Sequence, residues 1–531
     1  MQFFQVLPCI NLHFLTNNGW DMDYFLLYVR KNYGYNENHS RILPVSSQPF
    51  HNTAKKGHRF MKTAAIIAEY NPFHNGHFYQ IQKLHDQIDA DFVIALMSGD
   101  FVQRGEPAVY DKYTRTYMAL NSGIDLVLEL PVCFATGSAE DFAACGVALL
   151  DQLGVVDVLC FGSEWGELSP LCQVAEVLLD EPEVYSDMLR TLLKQGISFP
   201  GARSQALKQY FALKKDSSSS FDWASLLASP NNILGIEYLK ALKTRNSSIK
   251  PWTIRRHGQN YNDQTPVNDR TTFASASAIR RAIQEENYSM VWKQTPQTTP
   301  ITAADASPAA ANFTSASTAP TPANFASSAT TPPPANFTST STTPTTVTIN
   351  PASLSPTPVF PDDLTQLLNY RLLDLLQSSS DRENPFSLYA DMSPELASRL
   401  KANVLNFGTF SQRIHQLKTR GYTYTRISRA LLHVLLGITD LQIACCKQLD
   451  FAPYARVLGF RRSAGLLLRQ MKCSSSIPLI TKTADARNIL DENGLTMLNT
   501  DIHASHLYQS VVFSKNGILT PNEYTKSVII C

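Results

Sequence analysis

Short apolar runs alternate with amphipathic segments over residues 61–292. The apolar runs have the length and composition of buried strands, and they lie at 64–68, 92–97, 124–130 and 155–161. The segment after the first run repeats apolar residues at helical spacing and predicts an amphipathic helix over 78–88. Further helices are predicted at 111–120, 138–153 and 168–214, with a short strand at 251–256. This alternation predicts an α/β fold with a doubly wound, Rossmann-like parallel sheet.

The second half of the chain carries a different pattern. Helical spacing predicts helices at 363–376, 393–405, 410–419 and 425–437. Before them, residues 294–360 are mostly Thr, Ala, Ser, Pro and Asn, with Asp305 as the only charge. Such a segment cannot bury enough apolar area to offset an ordering cost of about 1–2 kcal/mol per residue. We therefore predict a low-complexity linker at 293–361 between an α/β domain at 61–292 and a mostly helical domain at 362–531, with a poorly structured extension at 1–60.

Composition excludes several classes of protein. The 531 residues include 46 Lys and Arg against 45 Asp and Glu, so net charge alone suggests no affinity for DNA or for membrane surfaces. The nine cysteines form no CxxC pair, which favours a reduced, cytoplasmic protein. No apolar run approaches the roughly 18 residues needed to span a bilayer.

A tight turn follows the first predicted strand. Asn71-Pro72 ends that strand, because proline has no N–H to give to the ladder. His74 and His77 therefore lie between the carboxyl end of a strand and the amino end of a helix, with Gly76 leaving room for a ligand near the backbone. Open α/β sheets bind ligands there, and helix N-termini favour phosphate. A metal pair is the alternative, but no third ligand with suitable spacing is nearby.

Five other places carry candidate binding residues. Gly162 follows the fourth strand, where a plain turn glycine is the alternative reading. Asn231 and Asn232 open a helix, although simple capping needs only one of them. Arg255-Arg256 ends a short strand, and Ser277 and Arg280 lie at a helix start, an arrangement that holds phosphate. The polar loop 99–107 is a candidate wall for a second substrate.

The string Glu69-Tyr70-Asn71-Pro72-Phe73-His74-Asn75-Gly76-His77 resembles a known signature. Its H-x-G-H core is similar to that of the HIGH-type nucleotidyltransferases, and the whole string resembles the tRNA(Met) cytidine acetate ligase family. The segment 275–281 resembles the second superfamily signature, with Ala278 in place of a hydroxyl residue. The strings 421–427 and 457–460 resemble the C-terminal half of the same family, so the likeness runs from Met61 to about residue 525, broken only by the linker.

The resemblance implies an enzyme that activates acetate with ATP as acetyl-adenylate. The acetyl group would then pass to N4 of the wobble cytidine, C34, of elongator tRNA(Met). His74 and His77 are assigned as catalytic, and Mg²⁺ is expected on the phosphates, although no acidic cluster identifies its ligands. The predicted ATP-binding residues are Ile67, Ala68, Glu69, Tyr70, Asn71, Pro72, Phe73, His74, Asn75, Gly76, His77, Phe78, Tyr79, Gln80, Gly162, Asn231, Asn232, Arg255, Arg256, Ser277 and Arg280.

The C-terminal half is basic, with thirteen Lys or Arg against six Asp or Glu over 381–470. Many of these cations lie near Tyr422 and Tyr424, a pattern that suits RNA because cations meet phosphates and rings stack on unpaired bases. A solvated helix face is the alternative. The predicted tRNA contacts are Lys418, Arg420, Arg426 and Arg429, and Arg456, Arg461 and Arg462 belong to the same basic set.

Two other functions compete with the ligase. An adenylyltransferase that makes a small nucleotide cofactor would share the histidine signature, but such enzymes end soon after the helix that begins near Ser277. A non-catalytic, nucleotide-regulated tRNA-binding protein would not need His74 and His77, because a regulatory site stabilises no transition state.

Overall fold

The computed structural model describes residues 61–197, 199–213, 223–256, 273–296, 357–378 and 384–531. The predicted N-terminal extension and most of the predicted linker lie outside these residues. From Met61 onward the chain forms one compact unit. None of the helices that the structure describes is long and apolar enough to cross a membrane.

The first part of this unit alternates strands and helices, as predicted. Its elements are β1 (Thr63–Ala68), α1 (Asn75–Ile88), β2 (Phe92–Ser98), β3 (Phe101–Val102), β4 (Glu106–Pro107), α2 (Lys112–Asn121), β5 (Leu126–Leu130), α3 (Val132–Ala135), α4 (Ala139–Gln152), β6 (Val158–Ser163), α5 (Leu168–Asp180), α6 (Glu183–Lys194), α7 (Phe199–Leu213), α8 (Trp223–Ala228), α9 (Pro230–Thr244), β7 (Lys250–Arg255), α10 (Ala276–Gln284) and α11 (Tyr288–Gln294).

The C-terminal part is mostly helical but also contains strands. Its helices are α12 (Thr365–Ser378), α13 (Pro394–Asn403), α14 (Phe410–Leu417), α15 (Tyr424–Leu436), α16 (Asp440–Gln448), α17 (Gly465–Ser474) and α18 (Glu492–Asn516), with single 3-10 turns at Pro361–Leu364, Arg462–Ala464 and Thr483–Asn488. Its strands are β8 (Ala455–Phe460), β9 (Leu479–Ile480) and β10 (Ile529–Ile530).

The main sheet has the strand order β10-β8-β5-β2-β1-β6-β7, with β9 paired to β8. Strands β1, β2, β5, β6 and β7 are all parallel, with Ile66 opposite Ala95 in the register of β1 and β2. Alternate residues of β1 enter two separate cores, since Ile66 packs on one face of the sheet and Ile67 on the other. The predicted doubly wound α/β fold is therefore confirmed. The chain leaves β1 on one side to β2 and later returns on the other side as β6, which makes the carboxyl end of β1 a topological switch point.

The C-terminal residues are not a separate domain, and here the structure differs from the prediction. Strand β8 pairs antiparallel with β5, with Leu128 opposite Val457, and so extends the sheet of the first half. The short apolar run of β8 needs a partner for its backbone groups, and the open edge of β5 supplies one. The mostly helical character of the region was predicted correctly, but not its attachment to the sheet.

A buried charge network holds β8 in place. Lys112 Nζ lies 2.8 Å from Glu129 and 3.0 Å from Glu523, and Arg456 pairs with the same two carboxylates. Burial by itself would raise the pKa of Glu523, but Lys112 and Arg456 lower it to about 2. Two cations and two anions thus compensate one another, which is the condition for burying charge. We call Lys112, Glu129, Arg456 and Glu523 the buried network.

Candidate functional site

The turn after β1 is held from several sides. Tyr70 has a left-handed backbone (φ 48°), and the Asn71–Pro72 peptide bond is cis. The guanidinium of Arg115, itself buried, donates to the carbonyl of Glu69 at 2.7 Å, and the Val109 N–H donates to the Asn71 side chain at 2.8 Å. The turn is therefore positioned by α2 and by the loop before it.

The two histidines form the cap of α1. The His74 Nδ1 accepts from the Gly76 N–H at 3.0 Å, and the His77 Nδ1 accepts from the His74 N–H at 3.3 Å. Their rings are stacked with centroids 3.8 Å apart. A Cβ on Gly76 would lie 2.9 Å from the His74 ring, so this position needs glycine.

This arrangement fixes the protonation of both rings. Burial, followed by Arg256 and Arg280, lowers the pKa of His74 to about 3. Burial, followed by His74 and Arg256, also lowers the pKa of His77. Because each Nδ1 accepts a backbone N–H, each neutral ring carries its proton on Nε2. The pair therefore offers two neutral Nε2–H donors at a helix N-terminus.

A cavity of about 260 Å³ opens beside the histidines, at the carboxyl ends of β1 and β6. Its cationic lining residues are Arg104, Arg255, Arg256 and Arg280. Glu69 is the only carboxylate among the described lining residues. The cavity thus carries an excess of three positive charges and suits a polyanion.

Several groups of the cavity fit a nucleoside triphosphate. The side chains of Arg255 and Arg256 form neither an ion pair nor a hydrogen bond with any residue that the structure describes. The hydroxyls of Tyr70 and Tyr238 are buried and likewise lack a protein partner among the described residues. Gly162 leaves space for the Arg256 side chain in the cavity wall, since a Cβ on Gly162 would lie 3.3 Å from that side chain. The apolar lining residues include Phe142, Phe161 and Leu234. The cations, the neutral donors and this apolar wall together match the phosphates and the base of a nucleotide.

Most of the predicted ATP-binding residues line this cavity. They are Ile67, Ala68, Glu69, Tyr70, Asn71, His74, Gly76, His77, Tyr79, Gln80, Gly162, Asn231, Arg255, Arg256 and Arg280. Pro72, Phe73, Asn75, Phe78, Asn232 and Ser277 are not among the lining residues. Phe73 is fully buried, and the Asn75 side chain donates to the Lys293 carbonyl at 2.9 Å. Phe73 and Asn75 therefore support the segment that follows β1 rather than face the cavity.

The two predicted asparagines have different positions. Asn231 lines the cavity and donates to Glu164 Oε1 at 2.6 Å. Asn232 is buried, and its side-chain oxygen accepts from the backbone N–H groups of Glu164 and Trp165. Asn232 therefore shapes the turn after β6, and Glu164, which sequence reasoning missed, orients Asn231.

A hairpin adds two lining residues that were not named individually from the sequence. Strands β3 and β4 pair antiparallel, and Gln103 and Arg104 in their turn reach the cavity. The Gln103 N–H donates to Glu69 Oε1 at 3.0 Å. The polarity of the loop 99–107 was the available signal, and it predicted a wall but not the residues that form it.

The described residues include no cluster of three or more side chains suited to bind a metal ion. An Mg²⁺ ion would be held mainly by phosphate oxygens and water, as is usual for this ion in nucleotide sites. In that setting its contribution would be charge neutralisation on the phosphates.

The predicted tRNA contacts do not form one surface. Lys418 and Arg420 are exposed, and Arg426 lies over the Tyr422 ring at 5.1 Å. Arg429 is instead buried and pairs with Asp391 at 2.8 Å. Arg456 belongs to the buried network, so the expectation that it lies on a basic RNA-facing surface was wrong. Its charge is already neutralised by Glu129 and Glu523.

A doubly wound sheet with a histidine-capped helix at its switch point is the geometry of a nucleotidyltransferase-type protein. The family profile described as HIGH Nucleotidyl Transferase matches residues 61–318 and 335–519. A tRNA(Met) cytidine acetate ligase of Acetivibrio thermocellus is 35% identical over 474 residues, 88% of this chain and 100% of that protein. One of Clostridium kluyveri is 35% identical over 87% of this chain and 98% of its own length. The chain therefore belongs to the tRNA(Met) cytidine acetate ligase family of the HIGH nucleotidyl transferases.

Solved structures agree with this placement. Thermotoga maritima TmcAL bound with alpha-thio ATP is 28% identical, with a TM-score of 0.71 over 88% of this chain and 99% of that one. The apo form of the same protein has a TM-score of 0.72 at the same identity and coverage.

Proposed function

We propose that this protein is an ATP-dependent ligase that acetylates tRNA(Met). In the first step an acetate oxygen attacks the α-phosphorus of ATP, giving acetyl-adenylate and pyrophosphate. In the second step N4 of the wobble cytidine, C34, of elongator tRNA(Met) attacks the acetyl carbonyl and releases AMP. The product is N4-acetylcytidine.

The observation that carries this proposal is the donor set around the cavity. Attack on phosphorus develops charge on phosphate oxygens, so it needs preorganised donors more than a covalent intermediate. The Nε2–H groups of His74 and His77, fixed by the cap of α1, meet this need without a proton transfer. Arg255 and Arg256 would bind the triphosphate, and Asn231, oriented by Glu164, would contact the nucleoside.

The RNA-binding side is proposed at the cations near Tyr422, of which Lys418 and Arg420 are exposed and Arg426 is half-buried. Lys418, Arg420 and Arg426 lie at the end of α14 and the start of α15. The Ser428 hydroxyl of α15 donates to the Gly105 carbonyl at 2.9 Å, so this helix contacts the hairpin whose turn lines the cavity. A tRNA bound on this side would be close to the cavity wall formed by Gln103 and Arg104.

The test is to incubate the protein with ATP, Mg²⁺, labelled acetate and an elongator tRNA(Met) transcript. Mass spectrometry should find labelled acetyl on the wobble cytidine, and only when ATP is present. A transcript in which this cytidine is replaced by uridine is the matched control. Acetylation from acetyl-coenzyme A without ATP, or no acetylation at all, would contradict the proposal.

A further inference from the structure

Glu69 carries a negative charge in a cavity whose other charged lining residues are cations. It follows β1 directly, and it is the only carboxylate among the described lining residues, beside four arginines. A negative charge at this place weakens the attraction of phosphate. Its presence therefore calls for a function other than binding the nucleotide.

The two oxygens of Glu69 have different surroundings. Oε1 accepts the Gln103 N–H at 3.0 Å, which fixes the carboxylate against the hairpin. Oε2 accepts no hydrogen bond from any residue that the structure describes. A carboxylate held by one oxygen is oriented, and the other oxygen remains able to accept a proton.

The position of Glu69 is also on the side where RNA is proposed to arrive. The hairpin that binds Oε1 is fixed from outside by α15, through Ser428 and the Gly105 carbonyl. A Cβ on Gly105 (φ 76°) would collide with the backbone nitrogen of Arg429, so the hairpin and α15 are in close contact. The cavity wall at Glu69 is therefore continuous with the proposed tRNA side. Arg255 is the last residue of β7 and Arg256 follows it, and β6 lies between β7 and the strand that precedes Glu69.

We propose that Glu69 is the proton acceptor in the acetyl-transfer step. This inference rests on the proposed function. As N4 attacks, the new C–N bond forms and the C–O bond to the adenylate phosphate breaks, with the electron pair leaving on AMP. The amine proton passes to Glu69 Oε2 and is later released to water. General-base assistance of this kind contributes roughly 100-fold or more.

The experiment compares the two half-reactions in Glu69→Gln, which keeps an oxygen for the Gln103 N–H but cannot take a proton. Acetate-dependent ATP–pyrophosphate exchange reports the first step, and single-turnover acetyl transfer to tRNA(Met) reports the second. We expect transfer to fall about 100-fold or more, with a far smaller loss of exchange. Acetyl-adenylate should accumulate on the variant, and Glu69→Asp should recover part of the transfer rate.

A matched control removes another carboxylate at the same edge of the sheet. Glu164→Gln weakens the support of Asn231 and should raise the KM for ATP, while the ratio of the two half-reactions stays near that of the wild type. If Glu69 instead holds Mg²⁺, Glu69→Gln will reduce exchange at least as much as transfer, and added Mg²⁺ will restore both. That result, or unchanged transfer, overturns the inference. A wild-type protein that never acetylates tRNA would overturn the proposed function itself.

Discussion

The buried network and the cavity lie on the same sheet, but their cations differ in whether they are paired with carboxylates. In the buried network, Lys112 and Arg456 each meet Glu129 and Glu523, and all four side chains are buried. In the cavity, Arg255 and Arg256 have no such partner among the described residues, and both are at least partly open to solvent. An interior cation must be neutralised within the fold, whereas a cation in an open cavity is hydrated and remains available to an anionic ligand. The comparison separates cations that hold the chain together from cations that can bind.

The largest effect is expected from breaking the buried network. Arg456→Met leaves two buried carboxylates facing Lys112 alone, and should reduce the free energy of unfolding by about 3–5 kcal/mol. Urea unfolding followed by circular dichroism measures this. Arg256→Met is the control from the cavity and should change the same quantity by no more than about 0.5 kcal/mol.

A double variant keeps this test decisive if Arg456→Met alone does not fold. Arg456→Met combined with Glu523→Gln removes one charge of each sign, and should be more stable than Arg456→Met alone. Equal loss in the single and double variants would mean that packing, not charge balance, stabilises β8.

The next effect concerns the donors of the cavity. His77→Ala should lower acetate-dependent ATP–pyrophosphate exchange about 100-fold or more, because a fixed Nε2–H donor is lost. His85→Ala on the exposed side of the same helix is the matched control and should retain most of the activity. Near-normal exchange in a folded His77→Ala would remove this histidine from the mechanism.

The neutrality of His74 predicts a dependence of stability on pH. Its folded pKa of about 3 lies below the ordinary value of 6.5, so the unfolded chain takes up a proton below pH 6.5 and the native state does not. Stability contributed by this group is therefore full above pH 6.5 and is lost as the pH falls. Well below pH 6.5 each pH unit costs about 1.4 kcal/mol, and the first unit costs less, so the loss between pH 6.5 and 4.5 should be about 2 kcal/mol.

The measurement compares the wild type with His74→Asn, which keeps a capping acceptor but does not titrate in this range. The difference between their free energies of unfolding should change with the stated slope, while contributions from carboxylates cancel. Parallel curves for the two proteins would show that His74 is not held neutral.

The smallest effect distinguishes the solvent-accessible cations near Tyr422 from the buried Arg429 of α15. Replacing Lys418, Arg420 and Arg426 by Gln should weaken tRNA binding and reduce the salt slope by a little under one unit for each lost phosphate contact. Arg429→Gln should instead lower stability, because Arg429 pairs with Asp391, and should leave the slope near that of the wild type. Filter binding over a salt series distinguishes the two outcomes. An unchanged slope in the triple variant would move the RNA side elsewhere.

Much of the cavity could be predicted from the sequence. The apolar run of β1, the break at Asn71-Pro72 and the helical spacing of α1 lie within 26 residues, Thr63 to Ile88, and each is a local property of the chain. Such patterns predict a strand, a turn and a helix without knowledge of their neighbours. The string at 69–77 also predicts the site position of the two histidines and Gly76, and it indicates the family.

Other features depended on residues far apart in the chain. The sequence alone did not indicate that β8 joins β5, that Arg429 meets Asp391, or that Gln103 fixes Glu69. Composition treats Arg420, Arg429 and Arg456 as equal cations, yet the first is exposed and the other two are buried in ion pairs. What the sequence by itself determined is therefore the order of the elements and the chemistry of the turn after β1. Only the tertiary structure decided which charges are neutralised inside the fold, because burial and pairing arise from contacts between segments that no local pattern connects.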